Sequence, residues 1–257
     1  MPKVFSLASW NVEHFQDDPS RVDRVIDFLN APEGGRMPDV FALYEVEGKE
    51  VYSALVSKMP GYSFHITEGP QVQEILVGCR KNITAFFTQK IEFKSGTSLL
   101  RPGALLSLNK DGVDYTILFL HTKSSTEPIG LGLRDDMFTK AFEFRGKLEK
   151  KTETEKWESR YMFLGDLNTM RMEYPFNRKI DPETELQKLD KEAKKVRMNR
   201  LTKSAPYTWF NGSTSKERPS NLDQVIASDN LTFRSFGGAS VSARGWVDQP
   251  SDAAKDK

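Results

Sequence analysis

The chain has 257 residues, 38% of them hydrophobic, and its 37 basic and 36 acidic side chains leave a formal net charge of +1. A chain of this length buries a full core in one or two domains. The near-neutral charge argues against a protein coated with basic residues, although it leaves room for a local basic patch that binds nucleic acid. The sequence contains no run of roughly twenty apolar residues, the length that a membrane-spanning helix needs.

The first residues and the single cysteine indicate in which cellular compartment the protein is expected. The first residues lead directly into a strand pattern without a signal peptide, which predicts a cytoplasmic protein, although a secreted protein whose signal had been removed would look the same. Cys79 lies in the apolar run 75–79 and has no second cysteine to pair with. We therefore predict a buried thiol and a fold that does not depend on an oxidising compartment.

The patterns of the first half predict alternating strands and helices. A helix should begin at Pro19-Ser20, with Ser20 as its N-cap and Asp23 as the capping-box partner. Residues 109–112 should join two strands as a hairpin turn. The predicted segments in this half are strands at 4–11, 40–43, 62–66, 75–80, 84–93, 104–108 and 115–120, and helices from Ser20 and at 50–59.

The second half follows the same reasoning. Apolar residues recur at helical spacing over 134–150, and a charge-dense loop is expected at 150–158. The insertion 171–203 should contain a helix in its second half, with Leu186, Leu189, Ala193 and Val196 on its apolar face. The predicted strands are 161–164 and 222–228, with weaker signals at 231–236 and 241–247.

Polar side chains stand at five predicted strand ends. Each by itself fits an ordinary turn or a satisfied surface histidine. Their order along a chain of many strands is the informative feature, because strand ends of one sheet meet at one edge. The residues concerned are Asn11, Glu45, His121, Asp166 with Asn168, and Asp223.

The motifs around these residues resemble those of the endonuclease/exonuclease/phosphatase superfamily, the metal-dependent phosphodiesterases that include deoxyribonuclease I-like nucleases. The similar segments are 10–12 (Trp-Asn-Val), 39–45 (ending in Glu45), 120–124 (around His121), 165–168 (Gly-Asp-Leu-Asn) and 221–226 (around Asp223). The resemblance implies an α/β (α+β) fold, a four-layer sandwich of two mixed β-sheets with outer helices. It also implies a single domain over 1–257.

The same resemblance implies roles for the residues. Asn11, Glu45 and Asp166 would form the metal site, with Mg²⁺ as the ion, Mn²⁺ as a substitute and Asn11 supporting the ligands. Asp166 would also orient or deprotonate the attacking water, and Asn168 would hydrogen-bond a phosphate oxygen. His121 would contact the phosphate, with Glu74 as its carboxylate partner. Asp223 corresponds to an aspartate that a terminal histidine accompanies elsewhere in the family.

One departure concerns that terminal histidine. The family closes with Ser-Asp-His and an apolar strand, whereas this chain has Ser251-Asp252-Ala253 and then a polar end. Either the chain is cut short of the motif, which we favour, or residues 251–252 are its remnant. In both cases the expectation is a domain without its last strand and with weak activity or none.

Three functions follow as hypotheses. The first is a nuclease, because the aromatic segment 207–210 and the basic face of the helix near Lys194 could hold a nucleic-acid strand. The second is a phosphatase or phosphodiesterase for a small molecule or lipid headgroup, and the third a non-catalytic binding module. We expect a monomer. Zinc and serine-hydrolase chemistry fit poorly, because the sequence has three scattered histidines and no Gly-x-Ser-x-Gly motif.

Overall fold

A computed structural model describes residues 4–31, 37–69, 73–98, 100–155, 158–174, 176, 179–211 and 216–245. The chain divides into two compact units. The first contains Met1–His121 and Leu148–Asp166, and the second contains Thr122–Lys147 and Leu167–Lys257. The organisation of residues 1–257 as a single domain remains a prediction.

The first strands alternate with helices, and several strands then follow one another, as the sequence patterns indicate. The strands are β1 (Leu7–Phe15), β2 (Val40–Glu47), β3 (Tyr62–Ile66), β4 (Gln73–Arg80), β5 (Thr84–Lys90), β6 (Gly103–Lys110), β7 (Val113–Phe119), β8 (Tyr161–Asp166), β9 (Met172–Glu173), β10 (Lys179–Ile180), β11 (Met198–Arg200) and β12 (Asp223–Ser228). The helices are α1 (Pro19–Asn30), α2 (Lys49–Lys58), α3 (Pro128–Glu155) and α4 (Pro182–Lys195), with a short 3₁₀ helix at Ile91–Lys94.

The first sheet of the first unit has the order β1-β2-β4-β3. Strands β1 and β2 are parallel, whereas β4 is antiparallel to both β2 and β3, so the sheet is mixed. Helices α1 and α2 contribute Val22, Val25 and Leu55 to the core that also contains Phe41 and Leu43 of β2. Because β2 is buried on both faces, it reads in the sequence as a continuous apolar run rather than an alternating one.

The second sheet of this unit runs in the order β8-β7-β6-β5 and is also mixed, with β7 parallel to β8. The hairpin between β6 and β7 is tighter than predicted. Lys110 pairs with Val113, so only Asp111 and Gly112 form the turn. Both have positive φ values, 54° and 76°, as a two-residue turn that matches the twist of a hairpin requires.

The two sheets of the first unit face each other through Tyr44 of β2, which is fully buried. Its hydroxyl donates to the carbonyl oxygen of Leu164 at 3.4 Å and lies 3.1 Å from the hydroxyl of Ser9. Gly165 makes this approach possible, since a Cβ there would lie 2.1 Å from the carbonyl oxygen of Leu120. Its φ of 140° also belongs to a region that L-residues avoid.

In the second unit, the helix predicted in the second half of 171–203 is present as α4, although it begins earlier, at Pro182. Asp181 accepts a hydrogen bond from the backbone N–H of Thr184 at 2.7 Å, and Pro182 is the first helical residue. Leu186, Leu189 and Ala193 are buried, as expected for its apolar face. Strands β11 and β12 pair antiparallel, as do β9 and β10.

Several predicted boundaries were wrong. Asp18, not Ser20, caps α1, because its carboxylate accepts from the backbone N–H groups of Ser20 and Arg21. Helix α3 extends through most of the predicted loop 150–158. Strand β2 continues beyond Glu45, β4 begins before Glu74, and β12 begins at Asp223.

The weak strand signals near the end were wrong as well. Among the described residues of 231–236 and 241–247, the structure has only isolated β-bridges, at Phe236 and Val241. Residues 246–247 and the Ser251-Asp252 pair lie outside the described residues. Within the described part of the chain, no helix combines the length and the apolar character needed to cross a membrane. Cys79 is buried, as predicted, and burial raises the pKa of its thiol to about 11.

We expect the substitution Gly165→Ala to lower the free energy of unfolding by about 3 kcal/mol, because it combines a steric overlap with an unfavourable backbone conformation. Gly146→Ala is the matched control: a Cβ there meets nothing within 4 Å, and alanine favours the helix. Urea unfolding of both variants measures the difference. Equal stability of the two would contradict the close approach at Gly165.

Candidate metal and catalytic centre

Strands β1 and β2 are irregular where they carry the predicted metal-site residues. Their register shifts between Asn11 and Phe15. Glu13, His14 and Glu45 have positive φ values of 46°, 48° and 62°. Each such residue costs on the order of 1 kcal/mol or more and persists where the surroundings hold it. The strands thus depart from regular geometry to aim the side chains of Asn11 and Glu45.

The side-chain amide of Asn11 joins two carboxylates. Its Nδ2 donates to Glu45 Oε1 at 2.9 Å and to Asp166 Oδ2 at 2.8 Å. Its Oδ1 accepts from the backbone N–H of Glu13 at 2.9 Å. Asn11 thus forms hydrogen bonds through both ends of its amide, and its two N–H groups orient the two acids.

His121 lies beside the same two carboxylates. Its Nε2 is 3.7 Å from Glu45 Oε1 and 3.7 Å from Asp166 Oδ2. The side chain is 3% exposed, and its Nδ1 has no hydrogen-bond partner among the described residues. Burial, and then the positive charge of Arg101, hold the pKa of His121 well below its ordinary value. The environment of the imidazole thus favours its neutral form.

Glu45, His121 and Asp166 form a donor set whose ligand atoms all lie within 4.8 Å of one another. Two carboxylates held this close, with side chains only 17% and 7% exposed, repel each other unless a cation lies near them. Carboxylate oxygens are the ligands that Mg²⁺ and Mn²⁺ favour. The residues present therefore fit a hard divalent cation.

Arg101 is a residue of this centre that sequence reasoning missed. Its Nε donates to the carbonyl oxygen of Gln73 at 2.8 Å, and its Nη2 donates to the side chain of Gln73. Gln73 Nε2 in turn donates to Glu45 Oε2 at 3.3 Å. Burial lowers the pKa of Arg101, while Glu45, Asp166 and Glu74 oppose that shift. The residue lies in a coil segment before β6, where no periodic pattern draws attention to it.

Glu74 is buried in β4, and its carboxylate accepts a hydrogen bond from the hydroxyl of Thr67. The His121 ring lies 3.7 Å from carboxylate oxygens of Glu45 and of Asp166. The predicted pairing of Glu74 with His121 remains a prediction. What the structure adds is the electrostatic interaction of Glu74 with Arg101.

His14 is an exposed residue beside the carboxylates of Glu45 and Glu47. Its Nδ1 lies 2.7 Å from Glu47 Oε1, and its backbone N–H donates to Glu45 Oε2 at 3.1 Å. A hydrogen bond from Gln16, followed in strength by those from His14 and Gln73, lowers the pKa of Glu47. Sequence reasoning assigned no role to His14, and the structure places it next to Glu45.

Asn168 belongs to the second unit and follows Asp166 by two residues. It is buried, with a φ of 46°, and its Nδ2 donates to the carbonyl oxygen of Thr122 at 3.1 Å. The hydroxyl of Thr122 donates to the carbonyl oxygen of Leu167 at 2.7 Å. These two bonds fix the segment after Asp166 against the segment after His121. The predicted contact of Asn168 with a phosphate oxygen remains a prediction.

A buried ion pair of the second unit supports both segments. Arg134 is 0% exposed and its Nε donates to Glu185 Oε1 at 2.6 Å. The same guanidinium donates to the carbonyl oxygens of Lys123, Ser125 and Met170. Burial raises the pKa of Glu185, although Arg134 opposes the shift. Sequence patterns predicted neither partner, because they lie in two different helices.

Asp223 also lies in the second unit, half-buried at the start of β12. An acid in an apolar strand was expected to need a partner. Lys203 is close enough to Asp223 for their charges to interact, and its ammonium donates to the carbonyl oxygen of Asp223, to Asn221 and to Gln224. Burial, opposed by Asp223, lowers the pKa of Lys203 to about 8. A lysine therefore provides positive charge beside Asp223.

The substitution Arg101→Met should raise the pKa of His121, because it removes a cation that disfavours the imidazolium. Burial remains, so the pKa should stay below the ordinary 6.5. An NMR titration of the imidazole in the presence of a chelator measures both values, with Arg24→Met as the control for loss of an exposed charge.

The stability of the folded protein should depend on pH because the pKa of His121 differs between the folded and unfolded states. A depressed pKa means that the folded state resists protonation, so the contribution of neutral His121 is complete above pH 6.5 and decreases as the pH falls toward the lower folded-state value. In Arg101→Met the pH range over which this stability is lost should be narrower, because the folded-state pKa of His121 should lie closer to 6.5. Titration of His121 near 6.5 in the unaltered protein would contradict the proposed environment.

Solved structures with the same fold were found, whereas no protein-family model and no curated protein sequence matches the chain. TDP2 from D. rerio, solved with a single-strand DNA product, has a TM-score of 0.57 and 16% identity over 89% of this chain and 86% of that chain. A hairpin-deletion mutant of beta toxin from Staphylococcus aureus has a TM-score of 0.59 and 14% identity over 94% of this chain and 92% of that chain.

A third similar structure is an endonuclease/exonuclease/phosphatase family protein from Bacteroides thetaiotaomicron. Its TM-score is 0.57, with 15% identity over 87% of this chain and 81% of that chain. These identities are too low to transfer an activity, but the similarity covers nearly the whole chain. The α/β sandwich predicted from the motifs is thereby confirmed: the chain shares the fold of the endonuclease/exonuclease/phosphatase proteins.

Proposed function

We propose that this protein is a Mg²⁺-dependent phosphodiester hydrolase and that its substrate is a nucleic acid. The observation that carries the proposal is the pair of carboxylates, Glu45 and Asp166, bridged by the amide of Asn11. A neutral histidine and a partly buried arginine stand beside them. This combination suits a reaction in which an anionic phosphate meets a water nucleophile.

Glu45 and Asp166 would hold the Mg²⁺ ion, or Mn²⁺ in its place. When bound, the ion supplies positive charge that offsets the phosphate and makes a water molecule more acidic. Asn11 holds both acids in position through its two N–H bonds. The backbone N–H of His14 gives Glu45 a further fixed donor.

The protein's own groups would share the remaining tasks. Asp166 would accept a proton from the attacking water or orient it. Neutral His121 would donate an N–H to a phosphate oxygen, and Arg101 would stabilise charge that develops in the transition state. Asn168 would contribute a contact to the phosphate.

The nucleic-acid substrate is supported by exposed aromatic side chains. Phe176 and Tyr174, beside the β9–β10 pair, are 76% and 40% exposed, and their ring centroids are 5.3 Å apart. Exposed rings provide stacking surfaces for unpaired bases. Tyr207, in the aromatic segment singled out by the sequence, is also exposed. One protein with this fold has been solved with a single-strand DNA product.

The basic face of α4 supports that substrate less than the sequence suggested. Two basic residues of α4 and two that follow the helix form ion pairs with acids of the same unit, so part of their charge is already compensated. The pairs are Lys188 with Asp135, Lys195 with Glu192, Arg197 with Asp229 and Arg200 with Asp190.

Hydrolysis of a small phosphate ester or lipid headgroup is the second candidate, favoured by the near-zero net charge. A non-catalytic binding module is the third. Salt distinguishes the first two, because polynucleotide cleavage should weaken steeply as salt is added, whereas turnover of a small ester should change little. Absence of hydrolysis together with retained ligand binding would favour the third.

Glu45→Ala and Asp166→Ala should each reduce Mg²⁺-dependent hydrolysis of bis(p-nitrophenyl) phosphate by at least about 100-fold, as loss of a preorganised charge at a reacting centre does. Glu68→Ala, which removes an exposed carboxylate of the same unit, serves as the control. The release of p-nitrophenol measures the rates. Retained Mg²⁺-dependent turnover in both site variants would refute the assignment.

The double variant Tyr174→Ala/Phe176→Ala should bind single-stranded DNA about tenfold more weakly, since stacking on one base contributes about 1–3 kcal/mol. Turnover of the small ester should stay unchanged. Phe86→Ala, which removes a ring that is 72% exposed in the first unit, is the matched control. Fluorescence anisotropy with a labelled oligonucleotide measures the affinities. Equal affinity for the double variant and the control would contradict base stacking on Tyr174 and Phe176.

A further inference from the structure

Arg21 of α1 contacts the irregular end of β1 in an unusual way. Its guanidinium donates to three successive backbone carbonyl oxygens: Nη2 to those of Val12 and Glu13, and Nη1 to that of His14 at 3.0 Å. The side chain also lies over the ring of Phe15, 5.8 Å from its centroid. One guanidinium group thereby donates to the carbonyl groups of the segment in which the register of β1 shifts.

The N–H groups of the same peptide segment point to the metal-site side chains. The N–H of Glu13 donates to Asn11 Oδ1 at 2.9 Å, and that of His14 donates to Glu45 Oε2 at 3.1 Å. A peptide group is planar, so fixing its carbonyl oxygen also fixes the direction of the next N–H. Arg21 therefore controls both donors without touching Asn11 or Glu45.

Without such a clamp this segment would be costly to maintain. Glu13 and His14 both have positive φ values, a conformation that residues with side chains rarely adopt in succession. The connection from Phe15 to the start of α1 at Pro19 is short, and Asp18 caps the helix. Arg21 therefore lies in the first turn of α1, close in sequence to the segment that it binds.

We infer that Arg21 is a positioning residue for the metal site: by binding three carbonyl groups it holds the two N–H groups that orient Asn11 and Glu45. The inference rests on the proposed function, because it assigns the oriented residues to a Mg²⁺ site. Its first part, the fixing of the Glu13 and His14 amides, holds without any metal.

The test uses Arg21→Met, which keeps a long apolar stem over Phe15 but removes every donor. Arg24→Met on the exposed side of the same helix is the matched control, with the same loss of charge. Calorimetric titration with Mn²⁺ should show about tenfold weaker binding for Arg21→Met, the usual effect of removing a group that orients metal ligands. Arg24→Met should bind as the unaltered protein does.

Amide hydrogen exchange provides a readout that needs no metal. In Arg21→Met the amides of Glu13 and His14 should exchange at least about tenfold faster, while those of α2 keep their rates. Unchanged exchange at both amides would overturn the inference, as would equal Mn²⁺ affinities for the Arg21 and Arg24 variants. Failure of the unaltered protein to bind Mn²⁺ would instead refute the proposed metal site, so the two failures are distinguishable.

Arg21→Lys covers the case in which Arg21→Met does not fold. A lysine retains the charge but presents a single nitrogen, whereas the three carbonyl groups here are bound by two nitrogens of a planar group. Its Mn²⁺ affinity should be weakened and its Glu13 and His14 amides should exchange faster. Wild-type values for both would overturn the inference.

Discussion

The structure of the candidate centre depends on one side-chain amide that holds two negative charges together. Asn11 donates one N–H to Glu45 and the other to Asp166, which come from different sheets of the first unit. Asparagine suits this task because its NH₂ group has two donors and no charge of its own. A basic residue there would neutralise the acids and compete with a metal ion, whereas the amide leaves their charge available.

The rest of the first unit places these three residues. The buried hydroxyl of Tyr44 in β2 donates to the carbonyl oxygen of Leu164 in β8. The absence of a side chain at Gly165 lets the two sheets approach closely next to Asp166. Positive φ values at Glu13, His14 and Glu45 turn backbone and side-chain donors toward the acids. Conformational cost at a site is common where function requires a fixed geometry, and here the surrounding hydrogen bonds offset it.

Strand periodicity and residue type singled out four residues that the structure places close together. Asn11, Glu45, His121 and Asp166 each follow an apolar strand pattern, and the structure brings all four together. Arg101, Arg21 and Lys203 escaped prediction for a common reason. Each contacts backbone or side-chain groups of another segment, 7 to 9 residues away for Arg21, 28 for Arg101 and 18 to 21 for Lys203, and no local period marks such contacts. The helix cap was missed for a different, local reason: Asp18 and Ser20 are both residue types that cap helices, and the structure shows that the Asp18 carboxylate accepts from the first free N–H groups.

The most direct test of the account is a crystal structure of the protein with Mn²⁺, in which anomalous scattering locates the ion independently of any assay. The account predicts a Mn²⁺ peak bound by carboxylate oxygens of both Glu45 and Asp166, with the Asn11 amide still hydrogen-bonded to these acids. A peak held by His14 and Glu47 alone, or none near Glu45 and Asp166 at saturating Mn²⁺, would contradict it.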